Sequence, residues 1–229
     1  MIGNRVMSDL PPHAGQAIRY SGSPVEAAVG AVILIHGRGA TADDILGLSL
    51  ELDRSDLVFL APQAARGTWY PWSFLEPLER NEPELSSALA ALGSVVEGLK
   101  SAGIEPRRQL LLGFSQGACL ALEFAARSPR RYAGLIGLSG GLIGPAGVAR
   151  DYSGSLDGTP VFLGSSDPDP HVPWHRVEES AEVLESMGSE VELVRYPGLG
   201  HTINRDELHR ARRLVASAIP ATGVIKVDE

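Results

Sequence analysis

The sequence predicts an α/β domain built on a mainly parallel sheet with helices on both faces, and three observations carry that prediction. Short apolar runs recur along the chain and are continuous rather than alternating, as strands covered on both faces require. Stretches of helical period separate them, so the elements alternate in βαβ units joined by right-handed crossovers. One run, Leu110-Leu111-Leu112, ends in Gly113-Phe114-Ser115-Gln116-Gly117, and a helical pattern starts at once from Gln116. In that context, glycines on either side of a strained turn let strand and helix pack closely, which pushes the serine hydroxyl into the open.

Taken in order, residues 1–15 read as a flexible lead-in, because Pro11-Pro12 and scattered polar residues give no period. Residues 17–20 fit a short edge strand, and 29–35 fit a buried strand ending in His36-Gly37-Arg38-Gly39. Residues 41–52 read as one helix, with Thr41 at its cap and Asp43 and Asp44 in its first turn. A buried strand follows over 57–60. Residues 63–83 break the pattern, for Trp69, Tyr70, Trp72 and Phe74 crowd into a loop interrupted by Pro71. Such rings need cover, so the loop lines a pocket, closes as a lid or folds back for packing. A long amphipathic helix over 84–101 resumes the alternation, and the 110–113 strand and the helix from Gln116 follow. The remaining strands fall at 132–139, 160–164 and 191–196, with helices within 172–187 and over 204–219, the latter capped by Asn204. Residues 16–220 thus form a single domain without a separate cap domain, and 221–229 read as a loose tail.

Composition bounds the function. The formal net charge is −8 and no basic stripe is present, which argues against nucleic acid as a partner. Cys119 is the only cysteine, so an internal disulfide and a cysteine-built metal site are excluded, and a reducing compartment fits. The first ten residues lack the apolar core of a secretory signal, and no uninterrupted apolar stretch is long enough to cross a bilayer. A cytoplasmic protein is the expectation.

In an open parallel sheet, chemistry collects at the carboxyl ends of the strands. Three such ends carry reactive groups here: Ser115, the pair Asp167 and Asp169, and His201. A serine hydroxyl needs an imidazole to take its proton, and a carboxylate to fix the tautomer and offset the imidazolium charge. The chain order Ser, Asp, His is the one that the α/β-hydrolase arrangement requires. The two aspartates stand two residues apart, so in an extended loop only one would face His201, and Asp169 is preferred. Stabilising a tetrahedral oxyanion needs converging backbone N–H groups, expected from Gln116 and Arg38. The Arg38 side chain reads either as a solvated charge or as a contact for an acidic part of a substrate. Cys119 reads as a small core residue, His36 as a backbone-bonded histidine, and His171, His175 and His209 form no metal set with it. No cofactor and no metal are expected.

At these residues the chain resembles a known family, the small bacterial carboxylesterases grouped with phospholipases and acyl-protein thioesterases within the α/β-hydrolases. The matching pieces are Leu34-Ile35-His36-Gly37-Arg38-Gly39, Trp69-Tyr70-Pro71, Gly113-Phe114-Ser115-Gln116-Gly117-Ala118, Asp169-Pro170-His171-Val172-Pro173 and Gly200-His201. The resemblance implies Ser115 as nucleophile, Asp169 as the acid and His201 as the base. The Trp-Tyr-Pro loop departs from the thioesterase version and is closer to bacterial esterases. The expected activity is hydrolysis of small-molecule carboxylic esters of short to medium acyl chain through an acyl-enzyme, with Trp69, Tyr70, Trp72 and Phe74 binding substrate. A thioesterase or lysophospholipase acting on longer chains is the alternative, and a non-catalytic ligand binder a remote one. Exposed rings in the Trp69 to Phe74 loop could equally serve a homodimer contact.

Overall fold

The computed structural model describes residues 10–148, 150 and 152–221. Its centre is a sheet of strands β1 (Ile18–Gly22), β2 (Ala31–Ile35), β3 (Val58–Pro62), β4 (Gln109–Phe114), β5 (Gly134–Leu138), β6 (Pro160–Asp167) and β7 (Glu190–Pro197) in the order β1-β3-β2-β4-β5-β6-β7. Only β1 runs antiparallel to its neighbour, and every other adjacent pair is parallel. Every residue of β2, β3 and β5 is buried, because helices cover both faces. In β2, Val32 and Leu34 pack beneath helices α1 (Ala42–Leu46), α2 (Leu48–Leu52) and α6 (Arg205–Ala218). Ile33 and Ile35 meet the opposite layer, α3 (Glu84–Ser101), α4 (Gln116–Arg127) and α5 (Trp174–Ser186). The two clusters interleave along each strand because successive side chains leave on opposite faces. No helix among the described residues is long and apolar enough to cross a membrane.

Three elements depart from the sequence expectation. The single helix over 41–52 is two, because Gly47, the weakest helix former in the stretch, bonds back to Asp44 O and Ile45 O and tightens the turn there. The strand expected to stop at Gly164 continues to Asp167, since Ser165 and Ser166 are buried and pair with Arg195 and Tyr196 of β7. A Ser-Ser-Asp-Pro sequence reads as a loop, and the pairing with β7 overrides it. Residues 10–15 of the expected lead-in are the third. His13 is 4% exposed, its amide donates to Ser87 Oγ and its ring bridges Ala65 N and Trp69 O. Residues 1–9 of that lead-in and 222–229 of the expected tail lie outside the described residues.

Helix α6 begins with a capping box: Asn204 Oδ1 accepts the Glu207 amide, and Glu207 Oε2 accepts the Asn204 amide. Glu207 is 1% exposed beneath Gly164, and burial pushes its carboxyl up to about 7 against the hydrogen bond from Asn204. With a folded-state value above the unfolded one, the stabilisation present at low pH is lost as the pH rises through about 7. Glu207→Gln is therefore expected to gain stability relative to the unmodified chain between pH 5 and pH 8, by on the order of 2 kcal/mol. Urea unfolding at both pH values checks it; a difference that stays flat with pH would count against a buried, titrating Glu207.

Candidate active site

The parallel register brings four strand ends to one edge, with Ile35 beside Gly113, Phe114 beside Leu138 and Leu138 beside Gly164. Ser115 sits in the turn between β4 and α4 with φ 55° and ψ −121°, a conformation that L-residues rarely adopt. The turn persists because it is over-determined. Ser115 N donates to Leu138 O, and Cys119 N donates back to Ser115 O. The flanking glycines are sterically required: a Cβ on Gly113 would stand 2.3 Å from Gly117 C and O, and one on Gly117 would stand 2.1 Å from Ile35 O.

Around this turn the structure brings together the three side chains at the ends of β4, β6 and β7. Ser115 Oγ lies 2.8 Å from His201 Nε2, and His201 Nδ1 lies 2.8 Å from Asp169 Oδ2. Since a carboxylate can only accept, Nδ1 carries the proton and Nε2 is left to accept from the serine hydroxyl. Asp169 Oδ1 accepts the amides of His171 and Val172. Burial works to raise the Asp169 carboxyl, but His201 and these two amides outweigh it and hold it below the usual carboxylate range. Asp167 does not reach the histidine: it pairs with Arg195 on the neighbouring strand. The order of partners Ser115, His201, Asp169 can move a proton off the serine and stabilise the resulting imidazolium.

Two residues that line the cavity with Ser115, Gln116 and Arg38, carry the backbone amides expected to meet an oxyanion. Gln116 opens α4, so its N–H has no intrahelical acceptor. The Arg38 amide is oriented by its neighbour. His36 Nε2 accepts Ala64 N, which puts the ring proton on Nδ1, and Nδ1 donates to Gly37 O at 2.8 Å. Ala40 N donates to the same carbonyl. In a trans peptide this turns the Arg38 N–H the other way, and among the described residues no acceptor pairs with it. Gly37 itself stands against the elbow, where a Cβ would lie 3.4 Å from Ser115 Cβ. Burial holds the His36 imidazole below its ordinary value, in keeping with a neutral ring.

A cavity of about 430 Å³ opens over Ser115 and His201. Tyr70, Trp72 and Phe74 line it, together with the Arg38 side chain. Trp69 does not. It is fully buried behind the cavity wall, where its indole Nε1 donates to His36 O and its amide donates to Gln116 Oε1. Its size and central hydrogen bonds make it a buttress between the histidine loop and the elbow. The expected row of exposed rings is likewise one ring: Trp72 is 50% exposed, while Tyr70 and Phe74 are buried. Cys119 is buried as expected, but it also forms part of the cavity wall, and burial pushes its thiol up to about 11.

Several residues at the site carry roles that the sequence pattern did not announce. The Gln116 side chain binds Thr68, Trp69 N and Tyr70 O, clamping the aromatic loop to the helix that starts at the Ser115 turn. Phe114 and His171 flank the His201 ring at centroid distances of 5.0 and 4.9 Å. The Arg38 guanidinium bonds Pro71 O and Trp72 O, so neither of the two readings of it from sequence included its hold on the loop. Among the described residues no group of three or more His, Cys, Asp or Glu side chains is placed to hold a metal ion.

The sequence profile described as phospholipase/carboxylesterase matches residues 17–219. Among solved structures, a phospholipase/carboxylesterase from Dyadobacter fermentans DSM 18053 superposes with a TM-score of 0.85 at 44% identity, covering 88% of this chain and 96% of that one. Among curated proteins, acyl-protein thioesterase 1 of Gibberella zeae is 34% identical over 121 residues, a match covering 52% of this chain and 51% of that protein, so the chain spans about half the length of that relative. Acyl-protein thioesterase 1 of Kluyveromyces lactis is 27% identical over 89% of this chain and 97% of its own.

Proposed function

The chain belongs to the phospholipase/carboxylesterase family of α/β-hydrolases, and from that premise we propose that it hydrolyses carboxylic esters of short to medium acyl chain through an acyl-enzyme. The observation that carries the reading is the continuous line of hydrogen bonds from Ser115 through His201 to Asp169, opening into the cavity. Ser115 Oγ attacks the ester carbonyl as His201 Nε2 takes its proton. The oxyanion is met by the amides of Gln116 and Arg38. His201 then protonates the departing alkoxide, and water repeats the sequence on the acyl-enzyme with His201 as base, releasing the acid.

The preference for shorter chains rests on the cavity walls. Tyr70 and Cys119 line it and are each 1% exposed, and buried walls of this kind favour a blind pocket over a channel for a long chain. A second reading, a thioesterase or lysophospholipase for long acyl groups, is favoured by the near full-length match to the Kluyveromyces lactis protein. A series of p-nitrophenyl esters from acetate to palmitate separates the two. The expected kcat/KM peaks at or below about eight acyl carbons, and a value climbing steadily to palmitate overturns the short-chain reading. A fluorophosphonate probe is expected to label the folded protein at Ser115, and absence of labelling would remove the serine mechanism altogether.

A further inference from the structure

One charged side chain at the cavity has a cationic head that this mechanism does not use. Arg38 lines the cavity beside Tyr70, Trp72 and His171. Its Nη1 and Nη2 each donate to a carbonyl, Pro71 O at 2.8 Å and Trp72 O at 2.6 Å, and its guanidinium carbon stands 6.0 Å from the Tyr70 ring centroid. These contacts fix the direction of the head without neutralising it. None of the ion pairs among the described residues includes Arg38, whereas Arg80, stacked on Trp72, is matched to Glu76. The acid of the site offers no compensation either: the Asp169 side chain is 0% exposed, and both of its oxygens are occupied by His201 and two amides. The mouth of the cavity therefore bears a fixed positive charge in a chain whose formal net charge is −8. A guanidinium has five N–H donors in a fork that suits a carboxylate, and two hydrogen bonds to carbonyls leave about three of them open.

We propose that Arg38 selects esters bearing a carboxylate within reach of the scissile bond, such as half-esters of dicarboxylic acids or acyl derivatives of hydroxy acids. The inference rests on the ester-hydrolase reading of the same cavity. A carboxylate in the acyl part and one in the alcohol part present the same chemistry to Arg38, and matched pairs of ligands distinguish them: monoethyl succinate against ethyl succinamate, and acetoxyacetate against acetoxyacetamide. In each pair a carboxylate gives way to a carboxamide of nearly the same shape, which removes the charge and turns one acceptor oxygen into a donor.

Binding of these four compounds to Ser115→Ala protein, followed by calorimetry, separates the inference from the mechanism, since no turnover is needed. At least one anionic member is expected to bind about tenfold more tightly than its neutral partner. That ratio is expected to fall severalfold between 0.02 and 0.5 M NaCl, and toward unity in Arg38→Gln. The Arg38 amide belongs to the oxyanion site and its side chain ties down the loop, so the informative quantity in the variant is the ratio within a pair, with Arg38→Lys expected to restore part of it. Ratios at or below one for both pairs in the parent protein would overturn the proposal, as would a ratio unmoved by both salt and Arg38→Gln. Failure of the unmodified protein to hydrolyse any neutral ester would instead overturn the enzymatic reading and leave the binding ratios to decide the role of Arg38.

Discussion

Ser115→Ala is expected to lower kcat for p-nitrophenyl acetate on the order of 10⁵ to 10⁶-fold while leaving the fold intact. The substitution deletes one oxygen. The contacts that hold the turn, Ser115 N to Leu138 O and Cys119 N to Ser115 O, belong to the main chain and persist. The backbone at position 115 is strained for any side chain, with φ 55° and ψ −121°, so Ser115→Gly is expected to unfold at higher urea than Ser115→Ala while being equally inactive. His201→Ala should reduce kcat by a similar factor, and the double variant by little more than either single one, because nucleophile and base act as a unit. Matched circular dichroism spectra and urea midpoints alongside the rates check the set. A Ser115→Ala protein retaining even a hundredth of the parent kcat would place the chemistry elsewhere in the cavity.

How much of this was legible in the sequence varies with the range of the interactions. The sheet and its order of elements follow from local signals, apolar runs and helical periods, which depend on few residues at a time. Strand ends then marked Ser115, the pair Asp167 and Asp169, and His201, although 86 residues separate the first from the last. The choice between Asp167 and Asp169 turned on something local pattern does not encode, the pairing of β6 with β7. That register sets Asp167 beside Pro197 and within reach of Arg195, while Asp169, just past the strand, turns back toward His201. The buttress behind the cavity was illegible for the same reason. His13 is a lone histidine after two prolines, and its partners Ala65, Trp69 and Ser87 lie 52, 56 and 74 residues away.

That buttress gives the aromatic loop a function beyond lining the cavity. Trp69 packs between the rings of His13 and His36, at centroid distances of 5.5 and 5.0 Å, and its indole binds His36 O. His36 in turn holds the Gly37 carbonyl that orients the Arg38 amide. Each histidine accepts one backbone N–H, from Ala65 and Ala64 respectively, and donates its single proton to a carbonyl. Both networks are satisfied only by neutral rings. The geometry of the proposed oxyanion site would thus depend on groups behind the cavity wall, which is how a surface loop can be held in the rigid arrangement that transition-state stabilisation needs.

Asp169→Asn is expected to lower kcat about 10⁴-fold, and Asp167→Asn to change it by less than about fivefold. The outcome depends on which way an asparagine must face. Oδ1 of Asp169 accepts two amides, from His171 and Val172, so the carboxamide keeps its oxygen there and turns its NH₂ toward His201. That group donates where the carboxylate accepted. His201 Nδ1 must then become the acceptor, its proton moves to Nε2, and Nε2 can no longer take the proton of Ser115. The shape of the site is retained while the tautomer is reversed. Asp167→Asn removes only the charge paired with Arg195, whose side chain is 55% exposed, a contact of the kind worth about 0 to 1 kcal/mol. Steady-state kinetics on both variants, with near-ultraviolet circular dichroism to verify packing, decides between them. A large loss in Asp167→Asn with Asp169→Asn near parent activity would assign the acid to the wrong residue here, and equal small losses would mean that His201 is held by the loop and needs no carboxylate.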